Sequence, residues 1–155
     1  MAIHDILLPE QQSITSKNLF DWNDNAHKTT SEQNSFSKHQ HASGKISWLF
    51  WGSVGNSSEG TYFAYQMWID YKGDDLIAQE YTLGNGLNFQ HFHSLPDKPG
   101  NWIRIVDADT AKLRIKLDPK KGTVSGTFAA TFTSDGYNLN PEGNIQMTSE
   151  LRDNI

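Results

Sequence analysis

Four of the six histidines come as two His-x-His pairs, His39 with His41 and His91 with His93. On a strand, successive side chains point to opposite faces, so this spacing sets both imidazoles of a pair on one side, close enough to share a metal ion. A shared metal needs further ligands. The chain has no cysteine, and the second pair runs on into Ser94-Leu95-Pro96-Asp97, which is a poor match for the downstream carboxylate of a β-barrel metal site. The expectation is therefore no metal and no other cofactor. Leu87, Phe89, His91 and His93 share one strand face, with Asn88, Gln90 and Phe92 on the other. If the first face lines a barrel, the imidazoles end its row at the mouth. Gln79 and Tyr81 from the preceding strand, and Tyr65, then line the same cavity. An apolar cavity with a few convergent polar groups is the usual build of a small-molecule site, and His and Tyr are natural hydrogen-bonding or acid/base groups there. His91, His93 and Tyr81 are the candidate catalytic residues. Tyr65, Gln79, Tyr81, Phe89, His91 and His93 are the candidate ligand contacts. The expected function is binding of an apolar or aromatic small molecule. Its catalytic form is a cofactor-independent, isomerase- or cyclase-type enzyme that encloses and orients its substrate. The plainer alternative is a filled core with a satisfied Tyr and His pair.

A second function comes from the tryptophans. Trp48, Trp51, Trp68 and Trp102 stand among Asn, Ser, Thr and Gln, and an aromatic face beside hydrogen-bonding groups suits a pyranose ring. Trp48 and Trp102 read as core. Trp51 and Trp68 fall on the less expected strand faces, so they are the contacts for a carbohydrate-binding, lectin-like module. A third alternative is a structural or assembly protein. Lys112, Arg114, Lys116, Lys120 and Lys121 make a basic ribbon that reads as the solvated face of a strand. Asp107-x-Asp109 and Asp74-Asp75 are turn residues before they are calcium ligands. Asn56-Ser57-Ser58 is a glycosylation sequon that matters only in a secreted chain. No Gly-rich phosphate loop, nucleophile elbow or dinucleotide fingerprint occurs, which removes kinases, serine hydrolases and nicotinamide oxidoreductases.

Strands must position these residues. Aromatics make up 12% of the chain and charged residues 20%, the rest of the polarity being mostly Ser, Thr, Asn, Gln and Gly; that balance favours pleated surfaces and tight turns. Period-two alternation bounded by turn residues predicts eight strands: Lys45–Val54, Thr61–Asp70, Leu76–Leu83, Leu87–His93, Trp102–Asp107, Lys112–Asp118, Thr123–Thr133 and Asn144–Leu151. Asn85-Gly86 reads as a type I′ hairpin turn, which needs positive φ at both central positions. Links this short cannot make parallel crossovers, so the expected fold is all-β, an antiparallel meander of about eight strands. Closure into an up-and-down barrel is the first choice and a two-sheet sandwich the second. The strand–turn pattern resembles lipocalin-type and other small-molecule-binding barrels in general, with no motif that assigns a residue's role.

At 155 residues the chain is of one-domain size. A net charge of −5 argues against a nucleic-acid partner, and no apolar run approaches the ~18 residues of a membrane span. Without a signal-peptide pattern, the expected location is cytoplasmic, or outside by a non-classical route. Residues 1–43 read as an arm, with a short helix near Pro9 and a polar, loop-like stretch from Asn23 to Ser43; residues 44–155 form the barrel. Leu49, Trp51, Tyr62 and Trp68 lie opposite the main core row and need cover. The segment Met1–Trp22 is expected to supply it, across the outside of the first two strands or one barrel mouth. A homodimer through the same surface is the competing solution.

Overall fold

The computed structural model describes residues 3–7, 18–98 and 100–149. They form twelve strands: β1 Ile3–Leu7, β2 Leu19–Asp24, β3 His27–Thr30, β4 Gln33–Gln40, β5 Ile46–Val54, β6 Phe63–Asp70, β7 Ile77–Leu83, β8 Gly86–Ser94, β9 Trp102–Asp107, β10 Thr110–Asp118, β11 Thr123–Thr131 and β12 Glu142–Thr148. Among the described residues there is no α-helix, only a 3-10 turn at Ser57–Glu59, and no helix is long and apolar enough to cross a membrane. All eight expected strands are present. The last of them ends at Thr148, and Leu151 and Pro9 lie outside the described residues.

The strands make one strongly curled, open sheet, a half-barrel and not a closed barrel of eight strands. Its order is β3-β2-β12-β11-β10-β7-β8-β6-β5-β4, with β9 sharing with β7 the edge of β8 that faces away from β6, and β1 on β9. The two ends of that path are consecutive in the chain. Between them the Ser31 amide donates to the Phe20 carbonyl on β2 at 2.9 Å, and the Glu32 amide to the Ser53 carbonyl on β5 at 2.8 Å. This short link ties one end of the curl to the other.

The stretch expected to be an irregular arm is thus part of the sheet. β2 sends Phe20 and Trp22 into the core, and β4 sends Phe36. Alternation was present in these segments, but each buries only one or two large apolar residues, which is enough for a strand at or near a sheet edge. At Gly52 on β5 an added Cβ would stand 2.6 Å from the Phe20 ring, so only glycine lets β2 press this close.

The meander fails at β7. It pairs antiparallel with β10 over Ile77–Thr82 and meets β8 only at Thr82–Gly86 and Leu83–Leu87, in a parallel sense. Gly84-Asn85-Gly86 is a corner where the chain changes neighbours, with positive φ at the two glycines but not at Asn85. The two-residue turn with positive φ at both positions is instead Asn25-Ala26 (φ 50° and 68°), joining β2 to β3. The inner faces enclose one core rich in rings, including Phe20, Trp22, Phe36, Trp48, Phe50, Tyr65, Phe89, Phe128 and Phe132.

Candidate functional site

Register assembles two groups on opposite faces of the β5–β6–β8–β9 wall. On the inner face one cross-strand row runs Asp5–Arg104–His93–Phe63, and the next Val106–His91–Tyr65–Gly52. Tyr65, Phe89 and His91 are therefore brought together as expected, and all three are fully buried. His93 stands at the rim, half-buried. Its Nδ1 lies 3.0 Å from the Ser94 carbonyl oxygen, which can only accept, so the proton sits on Nδ1. Nε2 then accepts from the Tyr137 hydroxyl at 2.8 Å.

The space around His91 is filled by rings. Phe63 stacks on it at 5.6 Å and His93 at 5.6 Å, while Phe132 meets it edge-on at 4.6 Å and Tyr137 at 4.9 Å. Neither ring nitrogen has a hydrogen-bond partner among the described residues. Burial, and secondarily the charge of His93, lower its pKa to about 3, so the imidazole is neutral in the fold. No group of three or more His, Asp or Glu among the described residues is placed to hold a metal ion. Tyr65 donates to Asp24 Oδ2 at 3.2 Å. Its phenol is pushed well above the usual range, first by burial and then by the Asp24 carboxylate.

Gln79 and Tyr81 do not join this group. They pair across to Ile115 and Leu113 on β10, and β7 touches β8 only at the end remote from His91. Gln79 is exposed and Tyr81 half-buried; burial, then Asp70, raises the Tyr81 phenol. Sequence reasoning missed Phe63, Phe132, Tyr137, Arg104 and Asp5. Arg104 binds Asp5 through Nε at 2.9 Å and Nη2 at 3.4 Å, an arrangement that requires β1 to be known as the partner of β9. Tyr137 sits in a loop 44 positions from His93, and no local pattern connects them.

The outer face of the same wall holds Trp51 and Trp68, as expected. Trp51 lies in a row with Ser35, Gln66, Gln90 and Asp107. There Gln66 Nε2 donates to Gln90 Oε1 at 3.3 Å, and Gln90 Nε2 to Asp107 Oδ1 at 2.7 Å. Trp68 lies between Leu49 and Asn88. Both indoles are half-buried. His41 meets Trp68 edge-on at 4.5 Å and its Nε2 lies 2.9 Å from Ser47 Oγ; exposed His39 is 6.1 Å from the same indole. At the other end of this face Tyr62, Ala64 and Ile103 form a small second core with Ile6 and Phe92. β1 thus covers one end, as expected of the N-terminal segment, and leaves the tryptophan end uncovered. Trp48 is core, but Trp102 is half-buried, with the Lys98 ammonium 4.2 Å from its ring centroid.

The basic ribbon lies on the outer face of the opposite wall. Arg114 pairs with Glu80 at 3.1 Å, beside a shallow depression of about 410 Å³ over β10, β11 and β12. Comparison with protein-family models, with curated proteins and with solved structures finds no match.

Proposed function

We propose that the chain is a binding module that takes a neutral saccharide on the outer face of β4, β5, β6 and β8. The observation that carries this reading is the pair of half-covered indoles, Trp51 and Trp68, on a face whose other groups, apart from Leu49 beside Trp68, are side-chain amides and hydroxyls: Ser35, Ser37, Gln66, Asn88 and Gln90. Indole faces pack on the C–H face of a pyranose, and amides donate to and accept from its hydroxyls. Asp107 at one end of the row already accepts from Gln90, and Asp70 at the other end pairs with Lys45 at 2.9 Å. Fixed charge in this patch is therefore engaged, which favours an uncharged ligand over an ionic one. The inner group is sealed by its own rings, so a ligand there needs a ring to move first.

A glycan array on the intact chain, followed by titration of the best hit, tests the proposal. Each stacking indole contributes ~0.5–1.5 kcal/mol beyond its area burial, so Trp51→Ala and Trp68→Ala should each weaken binding by about tenfold once burial is added. Lys112→Ala on the opposite wall should leave it unchanged. Glycan binding that survives both tryptophan substitutions, or no glycan bound at all, overturns the reading.

A further inference from the structure

We propose that the ring-lined space around His91 is a binding site for a small neutral phenol, which Tyr137 closes by inserting its own phenol. This site is separate from the saccharide face and does not depend on it.

His91 is costly where it stands. It is fully buried, and neither nitrogen has a hydrogen-bond partner among the described residues. An unmatched buried polar group costs ~1–3 kcal/mol. Phenylalanine would fill the same space among Phe63, Tyr65 and Phe132 without that cost. A donor and an acceptor held here gain a use when a molecule with its own hydroxyl arrives between them.

The space around His91 is flat-walled. Phe63 stacks against His91, while Phe132 and Tyr65 stand edge-on to it at 4.6 and 6.5 Å. Planar walls of this kind select a flat ring.

One wall is already such a molecule on a tether. Tyr137 comes from the loop that follows β11, beyond the isolated bridge of Phe132 to Leu139. Its ring lies edge-on to His91 at 4.9 Å and its hydroxyl reaches His93 Nε2 at 2.8 Å. The loop is closed at its base by the Phe132 and Leu139 amides, each donating to the other's carbonyl, at 2.8 and 3.0 Å. At its tip Asp135 and Gly136 both hold positive φ, 56° and 86°. Tyr137 follows directly, half-buried, and it can swing outward while the base stays paired. The space it vacates is one phenol ring, with His93 Nε2 as acceptor at the rim and the His91 nitrogens behind. An anionic ligand is disfavoured, because Arg104 at the rim is engaged by Asp5.

The test uses p-cresol and toluene, two rings that differ by a hydroxyl, on the full chain. In the wild type, p-cresol should shift the ring-nitrogen resonances of His91 and His93 and raise the melting temperature. Tyr137→Ala should bind p-cresol at least about tenfold more tightly than the wild type, because the internal competitor is gone. In that variant p-cresol should bind about tenfold more tightly than toluene, the worth of one hydrogen bond, and adding His91→Phe should reduce that preference. Trp51→Ala should change none of this. The proposal falls if Tyr137→Ala binds p-cresol no better than the wild type does, or if p-cresol and toluene bind alike. Should Tyr137→Ala not fold, the wild type decides: unshifted His91 and His93 nitrogens at millimolar p-cresol, with ordered water the partner, overturn it.

Discussion

His91 enters the fold as a neutral imidazole, and that makes stability depend on pH in a definite direction. Burial, and then the His93 charge, lower its pKa from 6.5 to about 3. Between those values the unfolded chain binds a proton that the folded chain refuses. The contribution is therefore fully present above about pH 6.5 and is lost as the pH falls through that window, at up to ~1.4 kcal/mol per unit. Asp5 and Asp109 are held below the usual carboxylate value, Asp5 chiefly by its bond to Arg104 and Asp109 by the Ser134 hydroxyl. Their contributions fade only at lower pH, below 3.8. The groups that face His91 are His93 on its own strand, Tyr65 on β6 and Tyr137 on the loop, with Arg104 behind on β9. Urea midpoints measured from pH 7 to 4.5 should fall steeply for the wild type, and His91→Phe should flatten that fall. An unchanged slope in the variant would show that His91 protonates freely in the fold. The pairing of His91 with His93 was legible in the sequence, because period-two alternation depends only on the strand being a strand. The burial of one imidazole and the rim position of the other depend on a tyrosine 44 residues away, and the sequence carries no trace of that.

At the scale of elements, the eight strands expected from alternation all form, because each has a long enough apolar row to mark its inner face. β3, with the sequence His-Lys-Thr-Thr, has no such row, and its place is fixed by the turn before it. That turn is Asn25-Ala26, with both residues at positive φ. Asn25 tolerates this and is further held by a bond from its Nδ2 to the Asn138 carbonyl at 3.1 Å. Ala26 does not, since the left-handed conformation costs an L-residue with a Cβ ~1–2 kcal/mol. Glycine at this position relieves the clash but adds ~0.4–1 kcal/mol of unfolded-state entropy. Ala26→Gly should therefore stabilise the protein by ~0.5–1 kcal/mol net, read as a higher urea midpoint at constant denaturant slope. A lower midpoint would mean the turn is not left-handed at Ala26. The glycine-based expectation pointed to Asn85-Gly86 because composition suits a type I′ turn there. What wins is tertiary pairing: β7 has β10 as its partner, so the chain must turn a corner at that point.

At the scale of the whole molecule, the curled sheet is extended from the N-terminal side, and the first two strands contribute unequally. β1 adds a five-residue ladder to β9, the Asp5–Arg104 pair and the cover that Ile6 gives to Tyr62, Ala64 and Ile103. Ile6 is half-buried, so its loss removes roughly 1 kcal/mol of apolar burial. β2 contributes Phe20 and Trp22, both buried. Phe20 lies 5.4 Å from Phe128 on β11, and Trp22 lies 5.0 Å from Tyr65 on β6, so together they join the two walls. Removing a buried Phe or Trp costs ~3–5 kcal/mol each, a sum comparable to the ~5–15 kcal/mol that holds a domain folded. Deleting residues 1–7 should accordingly leave a folded chain destabilised by roughly 1 kcal/mol, read as a lower urea midpoint. Deleting residues 1–24 should abolish the near-ultraviolet circular dichroism of the aromatic core. Excising residues 25–37, mild if that stretch were loop, should be severe as well, because it takes β3, Phe36 and the link that ties the two ends of the sheet. A chain that keeps its near-ultraviolet signal without residues 1–24 would mean that the remaining strands close their own core, and that β2 only rests against it.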